Sequence, residues 1–133
     1  MHINKKPATY IIDGLNFIRS FLTRGRNLNE ETLTREMIAW LDELGCGALS
    51  GSDFRLILDG SYRNIGPTRT ACVDAVFTEG ETADQLIYET ASYLSGNGQR
   101  VIVVSSDLEL HEKIKKLGVK VMHCGKFFNT FYS

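Results

Sequence analysis

Four aspartates in this chain lie where predicted strands end or where the following segments begin. They are Asp13 in TYIIDGLN, Asp59 in RLILDGS, Asp84 in EGETADQL and Asp107 in VIVVSSDL. In a fold of alternating strands and helices, such positions lie along one edge of one sheet. Like charges gathered there repel one another unless a cation lies between them. Because carboxylates are preferred ligands of Mg²⁺ and Mn²⁺, the pattern indicates a divalent metal and phosphate chemistry.

The other reactive residue types narrow the reaction class. A metal between carboxylates polarises a phosphoryl oxygen and lowers the pKa of a bound water toward about 7. The chain shows no nucleophilic cysteine or Ser–His pairing, so its aspartates suit hydrolysis by activated water rather than covalent catalysis. The segment GLNF after the first strand is neither G-x-G-x-x-G nor a Walker sequence, which disfavours a nucleotide-cofactor enzyme.

Apolar runs and helical spacings alternate along the chain. Strands are predicted over residues 9–12, 54–58, 72–78, 101–104 and 119–122, with the third at an edge. Helices are predicted over 15–22, over 33–44 with Gly45 as the stop, after a Thr82/Gln85 capping box, and after a Ser106/Glu109 capping box. This alternation predicts an α/β fold with a mostly parallel sheet covered on both faces. We expect one domain over residues 1–133.

Taken singly, each aspartate also has a structural explanation. The two D-G pairs that follow strands are common turn dipeptides. Asp84 and Asp107 lie in first turns of predicted helices, where carboxylates favour the positive end of the helix dipole. Stability does not require all four at one edge, so the functional interpretation is preferred for Asp13, Asp84 and Asp107. For Asp59 the two interpretations are evenly balanced.

Further polar residues flank the same predicted edge. Asn16 lies one turn beyond Asp13 and could hold its carboxylate or contact a phosphate. Thr82, Ser105 and Ser106 could face the cleft, although Thr82 and Ser106 are also explained as helix N-caps.

Three cations are predicted in loops near the rim, where they would steer a phosphate backbone or simply be solvated. They are Arg63, Arg69 and Lys126. The aromatic residues after Gly125 could stack on bases, but packing onto the domain is the preferred interpretation.

The composition limits the function further. Hydrophobic residues make up 43% of 133 residues, which supplies a core without a structural metal or disulfide. The net charge is -1, with 15 Lys and Arg against 16 Asp and Glu. A protein that holds nucleic acid by charge alone is usually basic. Any polynucleotide contact must therefore be local, metal-assisted or weak.

The cysteines and the N-terminal segment bear on location. Three cysteines with no C-x-x-C pair argue against a disulfide framework and fit the reducing cytoplasm. The histidines show no zinc spacing with them. The first apolar run is broken by Asp13 and is too short for a signal peptide or a membrane span.

The segments IIDGLNFI, LILDG, VFTEGETADQLI and VIVVSSD, in that order, resemble the NYN domain of the PIN-like nuclease superfamily. Within it, the chain is most similar to the YacP-like group of small bacterial proteins. The resemblance extends from about Tyr10 to Phe128. The D-G-x-N element, the E-T-A-D helix start and the S-S-D segment are together more specific than any one of them.

This resemblance implies a three-layer α/β/α sandwich whose parallel sheet has the order 3-2-1-4-5. It also implies a Mg²⁺- or Mn²⁺-dependent endoribonuclease that acts on RNA, with Asp13, Asp84 and Asp107 as the metal-binding residues. The neighbouring positions that match the family pattern are Asn16, Asp59, Thr82 and Ser105.

Two alternatives remain open. A non-catalytic adaptor that binds RNA or the ribosome would keep the acidic edge without turnover, and the near-neutral charge mildly favours it. A receiver-like domain would use Asp59 as phosphoacceptor together with Lys126, but the acidic pair expected after the first strand is missing because Gly14 follows Asp13. A ribosomal or other protein partner fits the adaptor and the nuclease alike, and the oligomeric state is open.

Overall fold

The computed structural model describes residues 6–23 and 25–132. Its sheet has five parallel strands in the order β3-β2-β1-β4-β5. They are β1 (Thr9–Asp13), β2 (Asp53–Leu58), β3 (Val73–Phe77), β4 (Val101–Val104) and β5 (Lys120–Met122). The predicted α/β class, the strand order 3-2-1-4-5 and the edge position of the third strand are confirmed.

Five α-helices and one π-helical segment accompany the strands. They are α1 (Gly14–Phe17), the π-helical segment (Ile18–Leu22), α2 (Glu30–Cys46), α3 (Ala83–Gly96), α4 (Leu108–Lys116) and α5 (Cys124–Phe131). None of the helices in the described ranges is long and apolar enough to cross a membrane.

Both faces of the sheet are buried because successive strand residues point to opposite sides. On β1, Tyr10 and Ile12 join a core cluster that includes residues of the π-helical segment, α2 and α5. Ile11 faces a second cluster built with residues of α3 and α4. Helices therefore cover each face, which gives the expected three-layer sandwich.

The C-terminal helix α5 extends the first of these clusters. Phe127 is fully buried there, with its ring 5.7 Å from Tyr10, 5.7 Å from Trp40 and 5.0 Å from Phe131. The preferred interpretation, that the tail aromatics pack onto the domain, is confirmed. The sequence analysis had not predicted that they form a helix.

Two predicted helix boundaries are wrong. Helix α2 continues through Gly45 to Cys46, and a Cβ at Gly45 would clash with the Cys72 sulfur. This glycine therefore allows close packing and does not stop the helix. At α4, Ser106 is not the N-cap, since Asp107 accepts hydrogen bonds from the backbone N–H groups of Glu109 and Leu110 at 2.9 and 3.3 Å.

Gly14 allows the turn after β1 to lie against β2. A Cβ at this position would lie 2.8 Å from the Ile57 carbonyl oxygen, 2.8 Å from Leu58 Cδ2 and 3.0 Å from Leu56 Cδ1. Real Cβ atoms essentially never come within 3.0 Å of another atom, and a carbonyl oxygen in the sheet cannot move aside cheaply. The second position of D-G-x-N is thus a packing requirement next to Asp13.

We expect Gly14→Ala to lower the free energy of unfolding by about 1–3 kcal/mol, the usual range for overpacking a core. Gly96→Ala is the matched control, because its Cβ would meet no atom within 4 Å and the residue ends helix α3. Alanine there should leave stability unchanged or raise it by up to about 1 kcal/mol. Urea unfolding of both variants measures the difference, and equal midpoints would contradict the packing role of Gly14.

Candidate functional site

Three of the predicted aspartates interact at the carboxyl edge of the sheet. Asp13 is the last residue of β1, Asp107 is the N-cap of α4 just after β4, and Asp84 lies in the first turn of α3. Strands β1 and β4 are parallel neighbours, so their ends deliver Asp13 and Asp107 to the same place. The charge of Asp107 raises the pKa of both Asp13 and Asp84, and the charge of Asp13 also raises the pKa of Asp84.

Asp13 is the most buried of the acidic residues, with 9% of its surface exposed. Burial raises the pKa of its carboxyl group, and the charges of Asp107 and Asp59 raise it further. Hydrogen bonds from the Ser105 hydroxyl, at 3.5 Å, and from the Asn16 backbone N–H oppose this rise. The Asp13 carboxylate is therefore oriented by two donors that favour its charged form.

Ser105 connects two of the aspartates. Its side chain is fully buried, and its oxygen accepts a hydrogen bond from the Asp107 backbone N–H at 3.1 Å while the hydroxyl donates to Asp13. The Ser105 carbonyl oxygen accepts a hydrogen bond from His111 Nε2 on α4. The side chain and the backbone carbonyl group of Ser105 therefore both stabilise the connection between β4 and α4.

The carboxyl groups of Asp84 and Asp107 lie close enough to hydrogen bond to each other when one of them is protonated. Partial burial, the hydrogen bond with Asp107 and the Asp107 charge raise the pKa of Asp84 to about 6. The pKa of Asp107 is lowered by that hydrogen bond and by the N–H groups of Leu110 and Glu109. Because the start of α4 stabilises the Asp107 carboxylate, Asp84 is the member that holds the proton.

Asp59 lies at the outer side of this edge and is exposed. Its Oδ1 accepts a hydrogen bond from the Thr78 hydroxyl at 3.3 Å, and the Thr78 oxygen accepts one from the Gly60 N–H at 2.9 Å. Asp59 and the aspartates Asp13 and Asp84 line one open depression of about 370 Å³. The structure therefore brings Asp59 into the acidic edge while also using it in the turn after β2.

The predicted polar neighbours lie at this edge in different roles. Thr82 lines the depression and is the N-cap of α3, since its oxygen accepts from the Gln85 N–H at 3.1 Å. Asn16 also lines the depression, and its Oδ1 accepts a hydrogen bond from the Cys124 thiol, with 3.9 Å between oxygen and sulfur. The Ser106 side chain hydrogen bonds to the Cys124 thiol.

Cys124 lies beside the acidic edge but is not a nucleophile. Burial raises the pKa of its thiol to about 11, and the Asp13 charge adds to the rise. The thiolate is therefore scarce at neutral pH. This agrees with the expectation that the site does not use covalent catalysis.

The three cations predicted at the rim lie in different parts of the structure. Arg63 lies at the carboxyl edge, where its guanidinium donates to the Asp59 carbonyl oxygen at 3.4 Å and packs 4.9 Å from the Phe77 ring centre. Lys126 is exposed on α5, just beyond β5, and is not in a loop. The predicted position of Arg69 is wrong, because the chain has returned to the amino end of the sheet and pairs Arg69 with Asp74 on β3.

Two further cations near the site were missed by the sequence analysis. Arg19, on the π-helical segment, lines the depression and pairs with Glu30. Because Arg19 lies three residues after Asn16 in a predicted helix, the spacing alone could have placed both residues on one face of that helix. Lys113 on α4 lowers the pKa of Asp84 through its charge. It lies far along the chain from Asp13 and Asp84, so no local spacing pointed to it.

Carboxylates are ligands that suit a hard divalent cation. Within residues 6–23 and 25–132, however, no group of three or more His, Cys, Asp or Glu side chains is arranged to hold a metal ion. Mg²⁺ usually keeps several waters and takes one or two protein carboxylates together with substrate phosphates. The paired Asp84 and Asp107 and the oriented Asp13 supply carboxylate oxygens of this kind. Burial and the neighbouring negative charges raise the pKa values of Asp13 and Asp84, and a cation bound between the carboxylates would oppose this rise.

Comparison with known proteins agrees with this architecture. Two crystal structures of Rae1 (YacP) from Bacillus subtilis share the fold at 19% sequence identity. One has a TM-score of 0.74, with 92% of this chain and 72% of that chain covered. The other, of a mutant, has a TM-score of 0.69, with 93% and 74% covered. Comparison with curated proteins found no match.

A sequence model described as the YacP-like NYN domain matches residues 10–132. That family is nuclease-like and includes ribonucleases, and the match favours neither the adaptor nor the receiver interpretation. The match covers nearly the whole sequence, including strands β2 to β5 and all of β1 except its first residue. The chain therefore belongs to the YacP-like NYN domain family.

Proposed function

We propose that this protein is a metal-dependent endoribonuclease that hydrolyses RNA phosphodiester bonds with an activated water. The observation that carries the proposal is the meeting of Asp13, Asp84 and Asp107 without a paired cationic side chain. In the described part of the chain, the ion pairs are Arg19–Glu30, Arg26–Glu36 and Arg69–Asp74. A structural role for the three aspartates would have been expected to neutralise them.

Asp13, Asp84 and Asp107 would hold Mg²⁺ or Mn²⁺. When bound, such an ion polarises a phosphoryl oxygen and makes a bound water more acidic. Asp13 contributes an oriented carboxylate because the Ser105 hydroxyl and the Asn16 N–H hold it. Asp84 contributes a carboxyl group that is mostly ionised above about pH 6 and must release a proton to bind a metal below it.

The remaining edge residues would position the RNA. Asp59 lies at the open side of the depression, where its carboxylate can orient a water. Asn16 and Thr82 line the same depression and offer polar contacts to a phosphate. Ser105 keeps Asp13 and Asp107 in register.

Cations at the rim would attract the RNA backbone. Arg63 and Lys126 suit this role, while Arg69 lies at the far end of the sheet and is set aside. Ser106 serves the site indirectly through its contact with Cys124. The three cysteines are free thiols, which supports a cytoplasmic location.

We expect Asp13→Asn and Asp84→Asn each to reduce Mn²⁺-dependent cleavage of a labelled RNA by at least about 100-fold, since each removes a charge that the reaction uses. Asp53→Asn is the control, because Asp53 is an exposed aspartate at the amino end of β2. It should keep wild-type activity. Gel analysis of the cleavage rate gives the answer, and wild-type rates in both site variants would refute the proposal.

Metal affinity should depend on pH through Asp84. Because its pKa is about 6, Asp84 is mostly ionised at pH 7.5 and mostly protonated at pH 5. Mn²⁺ affinity measured by calorimetry should fall by up to about tenfold per pH unit below 6, since binding must then displace a proton. Asp84→Asn should bind Mn²⁺ weakly and lose this contribution to the pH dependence. Equal wild-type affinity at pH 5 and pH 7.5 would contradict this role.

The free energy of unfolding of the metal-free protein should also depend on pH through Asp84, but in the opposite direction. Protonation of Asp84 weakens metal binding and stabilises the native state. The native state holds the Asp84 proton more tightly than the unfolded chain does, because the pKa is raised on folding from 3.8 to about 6. This contribution is therefore fully present below the unfolded pKa and is lost as the pH rises through about 6. In urea unfolding, Asp84→Asn should gain stability over wild type at pH 8 but not at pH 3.5.

A further inference from the structure

A second depression, of about 520 Å³, lies between α3 and α4. Its lining residues are Thr82, Asp84, Gln85, Tyr88, Lys113 and Lys116. Thr82 and Asp84 also line the acidic depression described above, so the two form one continuous surface that meets at Asp84. We call this second depression the α3–α4 groove.

The charge changes sign along the α3–α4 groove. Asp84 marks the acidic end, and Lys113 and Lys116 lie along α4. Residues three apart on a helix share one face, with their Cβ atoms about 5–6 Å apart. Both lysines are exposed, and neither forms an ion pair with any residue that the structure describes. They are therefore available to an anionic ligand.

Apart from Asp84, whose raised pKa is partly lowered by the Lys113 charge, the nearby acidic residues lie outside the groove or have other partners. On α3, Glu89 accepts a hydrogen bond from the Gln85 side chain at 2.8 Å and also interacts with Glu81. On α4, Glu109 and Glu112 are exposed and do not line the groove. The lysines therefore give the groove a local positive charge, although the chain as a whole is nearly neutral.

Tyr88 supplies an aromatic surface beside these charges. It lies one helical turn after Asp84, on the same side of α3. The ring is half-buried, because it packs against the core cluster formed with α4, and its remaining surface lines the groove. A ring fixed in this way can stack on a base with little loss of side-chain freedom.

We propose that the α3–α4 groove binds the stretch of single-stranded RNA next to the bond that is cut. Lys113 and Lys116 contact backbone phosphates, and Tyr88 stacks on an unpaired base. A duplex would not suit, because its bases are stacked inside and cannot reach Tyr88. This inference rests on the proposed ribonuclease function and extends it to the path of the substrate.

The test measures binding without cleavage. Fluorescence anisotropy of a labelled ten-nucleotide oligouridylate is followed in EDTA at low salt, where no divalent ion is present. The double variant Lys113→Gln/Lys116→Gln should bind at least about tenfold more weakly than wild type. It should also lower the slope of log affinity against log salt by about 1.4, or about 0.7 for each phosphate that the protein no longer neutralises.

Two controls separate the groove from general charge and general aromatic effects. Lys115→Gln removes the same charge from the same exposed helix but at a residue outside the groove, so it should bind within about twofold of wild type. Lys113→Arg/Lys116→Arg should retain binding. Tyr88→Leu should weaken binding, whereas Tyr93→Leu, at a 70% exposed position of α3 outside the groove, should not.

The outcomes distinguish this inference from the nuclease proposal. If the double glutamine variant binds as Lys115→Gln does, or if wild type does not bind the oligonucleotide, the groove is not an RNA site. Cleavage of RNA by wild type with unaffected binding in the double variant would refute the groove alone. Groove-dependent binding by a wild-type protein that does not cleave would refute the nuclease proposal alone.

Discussion

The repulsion among carboxylates at the carboxyl edge is the interaction that governs the rest of this site. Asp84 and Asp107 come close enough to hydrogen bond when one of them is protonated, and the charge of Asp107 also raises the pKa of the buried Asp13. The fold tolerates this because donors stabilise two of the three charges: the N–H groups at the start of α4 for Asp107, and Ser105 with the Asn16 N–H for Asp13. For Asp84, burial, the hydrogen bond with Asp107 and the neighbouring negative charges raise the pKa to about 6.

The parallel sheet fixes the relative positions of these carboxylates. Parallel pairing of β1 with β4 sets the relative height of Asp13 and Ser105, and burial of both sheet faces prevents a slip of register. Gly14 removes the side chain that would push the turn after β1 away from β2. The acidic edge is therefore held by main-chain structure and needs no support from ion pairs, which leaves its charge for a ligand.

Local sequence predicted the elements better than it predicted their ends. Strand β4 was predicted over its observed range because VIVV is a continuous apolar run closed by polar residues. Ser106 was wrongly chosen as the N-cap because serine and aspartate cap helices equally well, and only the backbone conformation shows that Asp107 takes the position. Gly45 was wrongly chosen as a helix stop because the Cys72 sulfur that explains it is distant in sequence.

Residue type and short spacing were enough to predict the α/β alternation, the aspartates that end strands or begin helices, and the family pattern, because each of these is a local property of the chain. Which charges meet was settled only by the folded arrangement. In the folded structure, Arg69 lies at the amino end of the sheet and Lys113 lies near Asp84. Helices α3 and α4 form the walls of one groove. Electrostatic effects and cavity shape depend on distances across the fold, and those distances follow from packing between elements that are far apart along the chain.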